Sequence, residues 1–167
     1  LHIVVFTRGT PDTAAKVDVN ASGAVTWGDA ATVVNPWDEY ALEEAIVQAE
    51  KAKGKATVIA LGGDLHVDAL KHSLAMGMSE AIRIHDDGLD PFDSLSYATT
   101  AAAAIRKLGD VQLVIFGKES VDVGTDQHIY QTARKLGWTM LSNVSKILAL
   151  DGNTIKVERL LETGKQI

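Results

Sequence analysis

Cysteine is absent from the 167 residues. That excludes disulfides, thiolate chemistry, iron–sulfur ligation and cysteine-bound zinc. It suits a reducing cytosol without requiring one. Proline occurs only three times, and no apolar run approaches the ~18 residues needed to cross a bilayer. No charged leader with an apolar stretch and a small-residue cleavage site opens the sequence, and a cytoplasmic protein with no membrane span is expected. Positive charge is scarce too: 16 Lys and Arg against 22 Asp and Glu give a formal net charge of −6. Broad nucleic-acid binding needs a concentrated basic surface, so none is expected. A single phosphate group needs only a few local donors, so a nucleotide stays open.

What is present is ordinary for a globular protein, with 46% hydrophobic and 23% charged residues. A chain of this length fits one domain over 1–167 and can bury roughly 70% of the surface it exposes when unfolded. Ile3–Phe6, Thr57–Leu61, Ala81–Ile84 and Val111–Phe116 are short apolar runs rich in β-branched residues. Longer stretches with a helical period lie between or after them. Continuous apolar strands belong to parallel sheets covered on both faces. The expected fold is therefore α/β: a mainly parallel open sheet flanked by helices, a Rossmann-like nucleotide-binding arrangement with small β-hairpin additions.

Helices are expected from near Asp38, over Asp64–Met76, over Phe92–Leu108 and over Asp126–Leu136. In the first, Leu42, Ala45, Ile46 and Ala49 form the apolar side, while Glu39, Glu43, Glu44 and Lys51 can face water. Gly77, Gly109 and Gly137 are the expected stops of the other three. Val17–Val19 and Ala24–Thr26 alternate around Asn20-Ala21-Ser22-Gly23, a hairpin signal. Val144–Leu150 and Thr154–Leu160 flank Asp151-Gly152-Asn153, a second one. Glu162–Ile167 complete no obvious element. They are either an exposed tail or part of a longer course, and the natural chain is expected to continue beyond 167.

The strongest local site follows the Val111–Phe116 strand, in Gly117-Lys118-Glu119-Ser120-Val121-Asp122-Val123-Gly124-Thr125-Asp126-Gln127. Ligands of open parallel sheets bind at the carboxyl ends of strands, and a helix start offers free N–H groups to a phosphate. Gly117 and Gly124 permit close approach, and Ser120 and Thr125 carry hydroxyls. Asp122 can accept a ribose hydroxyl or cap a turn, and Asp126 can serve as an N-cap. An ordinary polar βα loop explains the same residues. Neither GxGxxG nor GxxxxGK[ST] is present.

Two further loops fall at strand ends. In Asn35-Pro36-Trp37-Asp38-Glu39, Asn35 and Asp38 can pair with ring or ribose groups. Trp37 either stacks on a base or packs beneath the loop. In Leu61-Gly62-Gly63-Asp64 the glycines either admit a ligand or make a tight turn. No HExxH or other close ligand set unites His2, His66, His72, His85 and His128. The first four read as structural or surface residues, and His128 sits where a ligand contact is possible. Asp86, Asp87, Asp90 and Asp93 lack EF-hand spacing and read as a solvated acidic loop. No catalytic residue is nominated, and no GxSxG elbow is present.

At these residues the sequence resembles the β subunit of electron transfer flavoprotein, including its nitrogen-fixation and bifurcating forms. Asn35–Ala45 looks like that family's NP(F/Y)DEYALEEA segment, Ala75–Ala81 its AMGAD(R/E)A segment, and Gly117–Gln127 its GKQAIDGDTGQ nucleotide loop. With the first strand and Lys156-Val157-Glu158-Arg159, the resemblance covers nearly the whole chain. It implies an adenine-nucleotide α-hydrolase-like fold in a heterodimer with an α subunit. It further implies a flavin-dependent dehydrogenase as redox donor. AMP is held structurally in the β subunit while FAD lies mainly with the α subunit, or, in bifurcating forms, a second FAD replaces AMP.

Carried over residue by residue, the resemblance assigns nucleotide contacts to Val5, Phe6 and Thr7, to Asn35, Pro36, Trp37 and Asp38, and to Gly62. It assigns more to Ser120, Val121, Asp122, Val123, Gly124, Thr125, Asp126, Gln127, His128 and Ile129. Two positions depart from the family. Ile129 stands near a usual glycine, where a branched side chain would narrow the approach to the phosphates. Val123 replaces a glycine or acidic residue. The family also continues beyond Arg159 into strands and an arm that reaches the α subunit. Two other classes stay in view: an ATP-using hydrolase or adenylyl-transfer enzyme, and a stress-type nucleotide sensor. Thr7-Arg8-Gly9-Thr10-Pro11 lacks the SGGxDS-like loop that the enzyme would need.

Overall fold

The computed structural model describes residues 1–86, 88–90, 93–152 and 154–167. In chain order, the first part comprises β1 (His2–Thr7), β2 (Gly9–Pro11), β3 (Asp18–Val19), β4 (Val25–Thr26), β5 (Thr32–Val34) and α1 (Pro36–Lys51). Then come β6 (Lys55–Leu61), α2 (Val67–Met76), β7 (Glu80–Ile84), α3 (Ser94–Leu108), β8 (Leu113–Phe116) and α4 (Gln127–Leu136). The chain closes with β9 (Val144–Asp151), β10 (Thr154–Leu161) and β11 (Gly164–Gln166).

β1 is buried at every position because it centres a parallel sheet of order β7-β6-β1-β8 with helices on both faces. Alternate side chains go to opposite layers. Ile3 and Val5 pack with Leu42, Ala45 and Ile46 of α1 and Leu70 of α2. Val4 and Phe6 pack with Ala101 and Ile105 of α3, and Leu136 of α4 closes that layer. Each fully buried Ile, Val, Leu or Phe side chain among them contributes about 1.5–3 kcal/mol. The small residues Ala98, Ala101 and Ala102 are fully buried, which lets α3 lie close on the sheet.

The expected α/β architecture is present, with shifted boundaries. α1 begins at Pro36, two residues before Asp38, because proline's fixed φ and missing N–H suit a first helical position. The second helix opens as a 3₁₀ turn over Asp64–His66 before becoming α-helical. α3 starts at Ser94, since Asp93 caps it by accepting from Leu95 N at 2.9 Å and Ser96 N at 3.2 Å. Phe92, the expected start, lies outside the described residues. α4 ends at Gly137, whose φ of 72° is left-handed.

Both hairpins form: β3 pairs with β4 and β9 with β10, each antiparallel, although Asn153 of the second turn lies outside the described residues. Two features were not expected. β2 pairs with β5, tying the segment after β1 to the one before α1. The residues after Leu161 do complete an element, for Gly164 pairs with Leu161 and β11 runs back along β10. Gly-Lys-Gln is exposed throughout, so this strand carries no apolar alternation to announce it.

Candidate nucleotide site

The strand order reverses at β1. β6 and β7 lie to one side of it and β8 to the other. Such a switch point leaves a crevice beyond the strands' carboxyl ends, where the connections diverge. A cleft opens there, lined by Phe6, Thr7 and Arg8 after β1 and Phe116 and Gly117 after β8. Asn35 and Asp38 at the start of α1, Ser94 and Tyr97 of α3, and Glu119, Ser120, Thr125 and His128 complete the lining. Its free space, including that open to solvent, is about 510 Å³.

Close packing of the two βα connections makes the floor. A Cβ on Gly117 would meet Trp37 C at 2.7 Å and Asp38 N at 2.8 Å, so only glycine lets the chain leave β8 against the first turn of α1. Asn35 then fastens the loop. Its Nδ2 donates to Glu119 O at 2.9 Å and its Oδ1 accepts from Val121 N at 3.2 Å. Both ends of this buried amide are thereby engaged, which makes Asn35 a strut of the site. Within the loop, Ser120 N donates to Thr125 O and Gly124 N to Ser120 O. Asp126 occupies the N-cap position of α4 without a side-chain capping bond.

Asp38 is buried beneath the mouth and accepts from Thr7 Oγ1 at 3.3 Å and Arg8 N at 3.2 Å. Burial pushes its carboxyl up to about 7, against the opposing pull of those hydrogen bonds and the nearby Arg8 charge. Above Asp38 stands an aromatic wall. Phe6 and Phe116 stack with centroids 5.1 Å apart, and His128 meets the edges of Tyr97 at 4.6 Å and Phe116 at 5.9 Å. Burial, aided by the Arg8 charge, lowers His128 to about 4, so its ring is neutral at pH 7. Burial likewise holds the Tyr97 hydroxyl above the usual phenol range.

The sequence-predicted residues divide. Phe6, Thr7, Asn35, Asp38, Ser120, Thr125 and His128 come together in the cleft lining. Val5 points instead into the α1 layer. Pro36 opens α1, and the Trp37 ring lies 5.1 Å from Lys118 Nζ and tilted against Tyr40, away from the lining. Gly62 also stands apart: a Cβ there would meet His66 Nε2 at 2.7 Å, since that imidazole fills the turn and accepts from Gly9 N at 2.9 Å. Val121, Asp122, Val123, Gly124, Asp126 and Gln127 belong to the surrounding loop and helix start, and Ile129 is buried behind them. Gly117 and Glu119, within the loop singled out from the sequence, also line the cleft, whereas Arg8, Ser94, Tyr97 and Phe116 were not nominated. Arg8 was within reach, because it directly follows a buried strand; Ser94 and Tyr97 come from a helix whose contact with the site has no local signature.

The remaining candidates settle into the scaffold. His2 is buried between Asp110 and Thr57 at 2.8 Å each. His72 stands 3.8 Å from Glu39. In the acidic loop Asp86 accepts from Gly88 N at 2.8 Å and Asp93 caps α3, while Asp87 lies outside the described residues. Among the described residues, no helix is long and apolar enough to cross a membrane.

Residues 25–167 match the electron transfer flavoprotein domain model. The chain belongs to that family. It is 31% identical to Protein FixA of Azorhizobium caulinodans over all of this chain and 62% of the relative. It is 32% identical to the electron transfer flavoprotein subunit beta of Clostridium acetobutylicum and 33% identical to that of Thermoanaerobacterium thermosaccharolyticum, over all of this chain and 64% of each relative. The chain therefore spans just under two thirds of the length of these curated relatives.

Proposed function

We propose that this chain is the nucleotide-holding part of an electron-transfer flavoprotein β-type subunit that binds AMP structurally. In this reading an α-type subunit carries the redox FAD, electrons arrive from a flavin-dependent dehydrogenase, and the pair works in the cytoplasm. The observation that carries the reading is the cleft at the switch point. There the first strand's end, the Asn35–Asp38 turn and the Gly117–Gln127 loop meet, the three segments whose motifs resemble the family's nucleotide contacts.

The residues present fit an adenine nucleotide. Phe116, Tyr97 and His128 offer apolar surface to a base, Thr7, Ser120 and Thr125 offer hydroxyls, and Arg8 supplies a cation for a phosphate. Bound FAD would supply one- and two-electron chemistry; AMP supplies none. What the chain's own residues do is hold shape: Asn35 and Gly117 lock the two loops together, so an occupant joining them would stiffen the edge that meets a partner. Rate enhancement by proton transfer is not asked of His128, which is neutral and held among aromatic rings.

The test is to denature the native complex and identify the released nucleotide by absorbance and mass. AMP supports the reading. FAD released from this chain after separation from its partner replaces it with a flavin-bearing, bifurcating-type subunit. ATP hydrolysis with neither AMP nor flavin bound overturns it in favour of an enzyme.

A further inference from the structure

Among the described residues, Arg8 is the only lysine or arginine lining the cleft. Its Nη2 donates to Asp122 Oδ2 at 2.9 Å, with the two side chains only 20% and 10% exposed. Asp122 is held from its other oxygen by Ser120 Oγ. The neighbouring donor on the same edge of the guanidinium, Nε, is buried and has no hydrogen-bond partner among the described residues. An arginine edge formed by Nε and Nη2 is a two-pronged fork that suits two oxygens of one anion. Asp122 uses one prong and leaves the other unmet.

We propose that Arg8 is the phosphate-selecting residue of the cleft and Asp122 its internal competitor. A nucleoside monophosphate takes both prongs of the fork, and Asp122 is displaced with the loop that carries it. This rests on the reading that the cleft holds an adenine nucleotide. The chemistry favours the exchange in two ways. Phosphate satisfies the orphaned Nε. It brings up to two negative charges against one. Asp122 in turn keeps a largely buried cation from standing alone before the nucleotide binds. Ligand discrimination follows: adenosine can use the aromatic wall and hydroxyls but has nothing to offer Arg8.

The test is calorimetric titration of the nucleotide-free chain with AMP and with adenosine. In the wild type AMP is expected to bind at least about ten-fold more tightly than adenosine, the scale of a charged hydrogen-bonded pair. Arg8→Gln should erase that preference while changing adenosine affinity by less than about two-fold. Arg8→Lys should restore part of it, since the charge returns without the fork. Asp122→Asn should tighten AMP several-fold and leave adenosine unchanged. An unchanged AMP-to-adenosine ratio in Arg8→Gln overturns the selecting role. Equal weakening of both ligands in Asp122→Asn makes Asp122 a ribose contact and overturns the competition. Wild-type protein binding neither ligand removes the nucleotide reading itself, and this proposal with it. Thermal unfolding of each variant checks folding; if Arg8→Gln does not fold, Arg8→Lys and Asp122→Asn carry the decision.

Discussion

The parallel sheet and the antiparallel sheet at the end of the chain use similar apolar residues to opposite ends. In the first, Ile3, Val4, Val5 and Ile59 are wholly buried because two helices cover each face. In the second, Val157 is buried but Leu148, Leu160 and Leu161 stand 40%, 52% and 42% exposed. Burial on both faces gives the parallel sheet a rigid edge, and the cleft lies on that edge. None of the described residues of the three-stranded ribbon lines the cleft. Sequence hydrophobicity alone does not separate these cases; the layers around each strand do.

The largest expected effect tests the rigid edge. Phe6 is 2% exposed, stacks on Phe116 and meets Tyr97 edge-on, so it joins the sheet core to the cleft wall. Phe6→Ala should cost about 3–5 kcal/mol in urea unfolding and weaken AMP binding in whatever fraction stays folded. A cost under about 1 kcal/mol would mean the sheet edge is no more rigid than the ribbon.

Titration gives the next largest. Asp38 has its carboxyl raised from 3.8 to about 7, so the folded state holds a proton that the unfolded chain releases. Its contribution is fully present below pH 3.8 and is lost as pH rises to about 7. His66 and His128 run the other way. Both are lowered from 6.5 to about 4, chiefly by burial, and stability is lost as pH falls through that span. The two trends overlap, so the informative quantity is the stability of Asp38→Asn minus that of wild type, in which the histidines largely cancel. It should rise with pH by up to about 1.4 kcal/mol per unit, then level near pH 7. A flat difference would show that the carboxyl is already ionised in the fold.

Gly117→Ala should be smaller, about 1–3 kcal/mol, because a methyl there meets the Trp37 and Asp38 backbone and must push the loop from α1. AMP binding should fall with it. A stable variant with normal binding would separate the loop's packing from the site.

How much of this was legible depends on range. The four strands of the parallel sheet, their helices and both hairpins were readable because period and turn residues are local signals. β11 was invisible, since Gly164–Gln166 are exposed and their pairing depends on a turn after Leu161. Within the site, Asp122 was recognised but its partner was not: Arg8 lies far off in sequence, and nothing near either residue announces the pair. Trp37 shows the same dependence on range. Its place in the sequence allowed either a base platform or packing beneath the loop, and one turn of helix brings Tyr40, and the β8 loop brings Lys118, to its ring. Local chemistry names candidates, and only the fold decides what each one faces.

The smallest effect concerns the ribbon. Leu160 is on β10 with half its surface exposed, paired with Lys165 across the strand. Replacing it by serine removes little buried area, and the β-propensities of the two residues differ by only a fraction of a kcal/mol. Leu160→Ser should therefore change stability by no more than about 0.5 kcal/mol and leave AMP affinity untouched. Both halves of that expectation matter. A loss above about 1 kcal/mol in the isolated chain would mean that Leu160 is packed in solution, so the ribbon could not be the loosely covered element its exposure implies. A change in AMP affinity would join the ribbon to the cleft and dissolve the division between the two sheets.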